Sequence, residues 1–343
     1  MGLFHHFIFW HKPGHSAQVV NHRPGFGQFL CPAFCGFQII KRVCCILALL
    51  SFQQQLFSQE LEFKKDKKGV LLLEDDKPRY FYQEKTKSLD GKYARANYVH
   101  PLYSNNGEII TEDFPEDHLH HHGIFWSWHQ LYAEGKRVGD PWLSEDISWQ
   151  AEVTETTIKG KSAILKAEIY WYGAADKKPV LKENLELVYE RFNPETYALT
   201  FKIKLTALKG GVSIGGSEDP KGYGGFSPRL KLPEDVIFES TNGAVIPQNL
   251  PVQAGPWMNL KGSFDNLGKI TGIVIMGEPE ELPNYQGWIL RSANSMQNMA
   301  FPGRGPIAIK KGENLRFRNQ ILVHQHLSIE EIEEYYMRFR EGG

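Results

Sequence analysis

The chain carries no cysteine after Cys45. Its four, Cys31, Cys35, Cys44 and Cys45, all fall near the start of a sequence of 343 residues. Disulfides and thiolate metal sites are thereby excluded from everything downstream. Positive charge is not in excess either. With 39 Lys and Arg against 40 Asp and Glu the formal charge is −1, which leaves nothing to hold nucleic acid or anionic lipid. Apolar runs stay short of the ~20 residues that span a bilayer as a helix, so no transmembrane anchor is expected.

What is present in quantity is aromatic side chains, 13% of residues, together with 32 Gly and 19 Pro. That mixture suits a large domain of strands and turns. Near the start, Lys41 and Arg42 precede an apolar run through Phe52, and a short polar stretch ends at Gln59. This order reads as the basic, apolar and cleavage regions of a secretory signal peptide over 41–59, which implies a periplasmic or secreted protein. Residues 1–40 mix His, Pro, Gly and Phe without periodicity and are read as an extension in front of the true start. A buried first strand of a cytoplasmic protein is the alternative. A lipid anchor fits poorly, because Cys44 and Cys45 sit inside the apolar run.

From 60 to 343 the sequence reads as one β-domain. In the stretch 196–206, Tyr197, Leu199, Phe201, Ile203 and Leu205 alternate with polar residues, the period of a strand with one face on a core. Similar runs at 149–156, 163–172, 184–192, 270–277 and 314–326 are separated by turn formers, without helices between them. Successive strands of this kind pair antiparallel, and so many in one unit predict an all-β, two-sheet sandwich or a closed barrel. One helix is expected at the end: Ser328 and Glu331 form a capping box, and Ile329, Ile332 and Phe339 mark an apolar stripe.

The chemistry is concentrated in Asp117-His118-Leu119-His120-His121-His122-Gly123, which runs into Ile-Phe-Trp-Ser-Trp-His129. Imidazoles in such density are costly to bury without hydrogen bonds, a proton-transfer task or a metal. In an extended segment His118, His120 and His122 share a side and are candidate ligands for a divalent metal, with Glu112, Asp113, Glu116 or Asp117 supplying oxygen or orienting a ring. The plainer alternative is a hydrogen-bonded turn feeding an aromatic strand. Elsewhere, Arg316, Arg318, Gln320, His324 and His326 share the polar face of one strand. Solvent exposure is its default, and ligand contact follows if the sheet is hollow. The segment 215–229 is too glycine-rich for regular strand; its Glu218, Asp219 and Arg229 are candidate ligand contacts in a loop. Trp126 and Trp128 could stack on a sugar ring, although most Trp side chains are core.

Taken together, Tyr98-Val-His-Pro-Leu-Tyr-Ser104, Gly107, Thr111, Asp-Phe-Pro, the Asp-His-x-His-His-x-Gly motif, Gly-Gly-Phe with Arg at 224–229 and the final Leu-Arg-Phe-Arg strand resemble the DUF6807 family, also called PmoA-like. The resemblance runs from about residue 70 to the end. That family often has Arg before the motif's glycine, where this chain has His122. Its label points to a methane monooxygenase subunit, a membrane protein, which this sequence does not match. Members accompany sugar-processing and oxidoreductase proteins, which implies work on carbohydrate and transfers no catalytic residue. The motif is also similar, more weakly, to the His-rich segment of galactose mutarotase-like supersandwiches, where an imidazole and a carboxylate exchange protons around a sugar ring.

These readings converge on an exported, carbohydrate-active enzyme of epimerase or lyase type. His120 and His121 act as proton donors or ligands, His118 is positioned by Asp117 or Glu116, and Arg229, His324, His326, Trp126, Trp128 and Glu218 hold substrate. A non-catalytic carbohydrate-binding protein and a metal-dependent hydrolase or oxidoreductase are the alternatives.

Overall fold

The computed structural model describes residues 60–264, 268–293 and 296–342; the expected extension and signal segment lie outside the described residues. Four long strands, Ile147–Lys159, Ser162–Gly173, Leu181–Asn193 and Thr196–Ala207, pair antiparallel in chain order. Their alternation is the cause of the pairing geometry. From Ala163 to Trp171 every second residue is buried, so one face of the sheet must be covered. Asn314–His324, Thr271–Gly277, Trp257–Gly262, Ile237–Ser240 and Gly243–Ala244 continue this sheet to nine strands.

The cover is a six-stranded antiparallel sheet in the order Leu61–Lys65, Gly69–Glu74, Lys77–Gln83, Tyr98–Leu102, Ile124–Trp128 and Gly224–Pro228. Leu72, Ile124, Trp126 and Phe226 of this sheet share one core with Leu165, Leu187, Phe201 and Ile321 of the larger one. Trp126 and Phe226 meet Phe201 at 5.8 and 5.0 Å between ring centroids. The architecture is all-β, an antiparallel two-sheet sandwich, with one α-helix among the described residues, Ile329–Glu341, following the last strand. Ser328 and Glu331 cap that helix reciprocally as the sequence predicts, and Ile332, Tyr336 and Phe339 bury its inner face.

Two expectations fail here for packing reasons. Trp126 and Trp128 are core residues, not sugar platforms. Their indole N–H groups are satisfied inside, donating to Glu183 and to the Phe301 carbonyl at 2.9 Å each. Glu183 also accepts from Asn97 and Trp171, yet burial pushes its pKa up to about 7. The second failure is Gly224–Pro228, read as loop and found as a fully buried strand beside Ile124–Trp128. Gly225 takes φ +99°, and a Cβ there would lie 2.7 Å from the Met299 carbonyl and the Phe301 ring. Glycine lets a neighbouring segment lie against the strand.

Candidate functional site

Alternation along Ile124–Trp128 decides where the histidines sit. Because Ile124, Trp126 and Trp128 enter the inter-sheet core, Phe125 points to the opposite, outer face of the six-stranded sheet. There it joins Tyr98, Trp142 and Met296 in a separate small apolar cluster. The histidine segment lies over this cluster, with His121 6.3 Å from Phe125 and 6.2 Å from Trp142 between ring centroids.

The segment turns instead of extending. His118 donates its N–H to the Pro115 carbonyl at 3.0 Å, and His121 donates to the His118 carbonyl at 2.9 Å. This overturns the alternation that set His118, His120 and His122 on one side. His118 and His121 stack at 4.7 Å with planes 1° apart, and His120 meets them edge-on at 5.7 and 4.6 Å. His122 is turned inward, fully buried, with Nδ1 2.9 Å from Asp113 and its ring on Phe114 and Tyr98. The three candidate metal ligands therefore do not converge. Among the described residues, no group of three or more His, Cys, Asp or Glu side chains is arranged to hold a metal ion.

Gly123 makes this turn possible. Its φ is +48°, and a Cβ would fall 2.2 Å from the Val99 carbonyl oxygen and 2.6 Å from His100 Cβ. Only a residue without a side chain lets the chain pass so close to the adjacent strand.

Arg229, just past Gly224–Pro228 and 1% exposed, ties the cluster together. Its guanidinium donates to Glu112 Oε2 and Asp117 Oδ1 at 2.7 Å each, and to His121 Nδ1 at 3.3 Å. A guanidinium can only donate, so His121 Nδ1 accepts and the ring's proton sits on Nε2. Burial, then the neighbouring His120, His118 and Arg229 charges, push the His121 pKa down to about 2. Burial and the charges of His118 and His129 take His120 to about 4. Both rings are neutral near pH 7. Asp117 behaves in the opposite sense. Its partial burial favours the acid, but hydrogen bonds from His118 and Arg229 outweigh that and its pKa is lowered.

Two imidazoles in this region are oriented by carboxylates. His118, 43% exposed at its side chain, donates Nδ1–H to Asp117 Oδ2 at 2.7 Å. His129 donates Nδ1–H to Asp140 Oδ2 at 2.9 Å and stacks on Trp142 at 5.2 Å. In both, the carboxylate holds the ring hydrogen on Nδ1, which leaves Nε2 as the acceptor of the neutral ring. Asp140 Oδ1 accepts from the N–H groups of Trp142 and Leu143, which fixes the turn beneath His129. Trp142 touches His129 on one side and His121 on the other, and His121 in turn stacks on His118, so the two Asp–His pairs are connected through Trp142 and His121.

The structure places His118, His120, His121, Asp117 and Arg229 in one cluster. The sequence also noted Glu112 and counted His129 among the imidazoles, but gave His129 no role. Asp140 was missed, since it lies in a turn with no pattern of its own. The remaining candidates are elsewhere. Glu218 is exposed and paired with Arg137 at 3.3 Å. His324 is a core residue: Nδ1 accepts the Leu327 N–H at 3.1 Å and Nε2 lies 3.2 Å from Asn259 Oδ1. Gly272 leaves the space that its ring fills. With both nitrogens engaged inside the protein, His324 is not a substrate contact. His326 is exposed just before the helix.

Antiparallel sheets packed face to face, with a histidine and carboxylate cluster on one outer face, define a β-sandwich protein with a polar surface site. The profile of a family of unknown function, DUF6807, matches residues 69–337, and the chain belongs to that family. No curated protein matches it. Among solved structures it is similar to the crystal structure of a GalM/aldose epimerase homologue from C. elegans. The identity is 10%, the match covers 78% of this chain and all of the other, and the TM-score is 0.29.

Proposed function

We propose that the outer-face cluster binds a carbohydrate and moves protons on it, in the manner of an epimerase or lyase. The observation that carries this reading is the pair of carboxylate-backed imidazoles, His118 with Asp117 and His129 with Asp140, connected through Trp142 and His121. A carboxylate behind Nδ1–H fixes the tautomer and stabilises the imidazolium that forms when Nε2 takes a proton. One such ring removes a proton from substrate while the other, protonated, returns one. His121, with hydrogen on Nε2, is a neutral donor that can polarise a carbonyl or ring oxygen between them. Arg229 holds Asp117 and His121 in register. The signal-like segment 41–59 supports export, and we place the activity outside the cytoplasm.

The test is proton NMR of aldoses, uronates and their short oligosaccharides in D2O with the purified full chain. Turnover, as epimer, anomer or unsaturated product, is expected from at least one, and His118→Gln and His129→Gln should each lower its kcat by 100-fold or more, roughly what a positioned acid or base contributes. Full activity in the double variant would refute the assignment.

A further inference from the structure

The outer face of the nine-stranded sheet carries a second feature. Phe317, Ile321 and Val323 enter the inter-sheet core, so Arg316, Arg318 and Gln320 point the other way. Part of that face is closed, because the helix covers Leu322, Ala198, Val274 and Met276. Beyond the helix an open hollow of about 620 Å³ begins, with five basic and three acidic side chains on its walls. The chain as a whole has formal charge −1, so this positive excess is local.

The floor of the hollow opposes like charges. Lys202 is the cross-strand partner of Arg318, and Lys204 is the partner of Arg316. Such pairs destabilise a sheet unless something neutralises them. Glu186 lies 3.4 Å from Lys202, and Glu278 grips Arg318 with both oxygens. Lys204 and Arg316 have no ion-pair partner among the described residues. Next to them a smaller cavity of about 110 Å³ shares Lys202 and Arg318 and is lined by Gln320. Gln320 donates Nε2–H to Thr200 Oγ1 at 2.8 Å, while its buried Oε1 has no partner. A lone carbonyl oxygen out of water calls for a donor.

We propose that this trough binds a carboxylated oligosaccharide. Lys204 and Arg316 take a carboxylate, for which a planar guanidinium and an ammonium are suited, and Gln320 Oε1 accepts a sugar hydroxyl. Residues 316 and 320 are ~13 Å apart along the strand, which asks for more than one sugar unit. A DNA backbone offers acceptors along its length and would satisfy the cations but not Gln320. The trough and the histidine cluster lie on the two opposite outer faces of the sandwich, so this inference does not depend on the chemistry assigned to His118 and His129.

Isothermal titration calorimetry of the full chain at low salt tests it, with trigalacturonate, its methyl ester and a short single-stranded DNA as probes. Trigalacturonate is expected to bind, and added salt should weaken it. Lys204→Gln combined with Arg316→Gln should reduce its affinity at least about tenfold, consistent with losing charge-assisted bonds. The same variant should unfold at the same or higher urea concentration, since a like-charge pair is removed. Absence of binding, equal affinity for the ester, equal affinity for DNA, or an unaffected double variant would each overturn the proposal.

Discussion

His324 makes the anchorage of the terminal helix sensitive to acid. Its Nδ1 accepts the N–H of Leu327, one residue before the Ser328 cap, and only a ring unprotonated at Nδ1 can do so. Burial, then the charges of Lys261 and His326, holds the folded pKa at about 4 against an ordinary value of 6.5. The unfolded chain therefore takes up a proton first, and stability falls as pH drops from 6.5 toward 4, while above 6.5 this residue contributes no pH dependence. Linkage gives a loss of about 2 kcal/mol between pH 7 and pH 5, rising to about 3 kcal/mol below pH 4. Glu183 works against it. Its folded pKa is raised from 4.5 to about 7, so its contribution is full at low pH and is lost as pH rises, by about 2 kcal/mol over the same interval. His120 and His121, whose pKa values are also lowered, titrate in the same sense as His324, so the parent curve sums several groups and a difference between variants is needed. In His324→Asn the amide oxygen can still accept from Leu327 but does not titrate. Urea unfolding of parent and variant should show the variant less stable at pH 7, with the gap closing by about 2 kcal/mol at pH 5. A gap of the same size at both pH values would refute the reasoning.

Other expectations follow from single contacts. Gly123→Ala puts a Cβ against the Val99 carbonyl at positive φ and should cost more than about 3 kcal/mol in urea unfolding. Arg229→Met removes a cation that holds the His121 pKa down, so NMR titration of that imidazole should show its pKa rise. Ser328→Ala removes the helix cap at a cost of about 1 kcal/mol, visible as faster amide exchange in the first turn of the terminal helix. Glu183→Leu strands the donors of Asn97, Trp126 and Trp171 in the core and should destabilise by at least about 3 kcal/mol in the same unfolding assay.

Periodicity made the sandwich legible. Strands such as 196–207 alternate cleanly because one face is buried along the whole length, and the terminal helix announced itself through Ser328 and Glu331. The errors arose where local pattern and tertiary contact disagree. Gly224–Pro228 looks like a loop because its glycines are required by a neighbour, Met299 and Phe301, which no local rule reveals. His118 to His122 looks extended because nothing in the residue types shows that the Gly123 backbone will pass against Val99 and force a turn. Asp140 and Trp142 come from a turn that only the fold places under His129. His324 had the same composition cues as the cluster, and what separates it is that Leu327 and Asn259 occupy both its nitrogens.

The cluster's electrostatics argue for a division of labour among its imidazoles. His121 faces a guanidinium on Nδ1, and His120 is surrounded by other rings, so a proton placed on either is repelled. His118 and His129 instead have a carboxylate at Nδ1, which accepts a hydrogen bond there and fixes the tautomer. A proton arriving at this face is therefore repelled from His120 and His121. In the function proposed above, that difference in partners lets His121 act as a neutral donor beside the two carboxylate-backed rings, a combination that a cluster of equivalent rings would not offer.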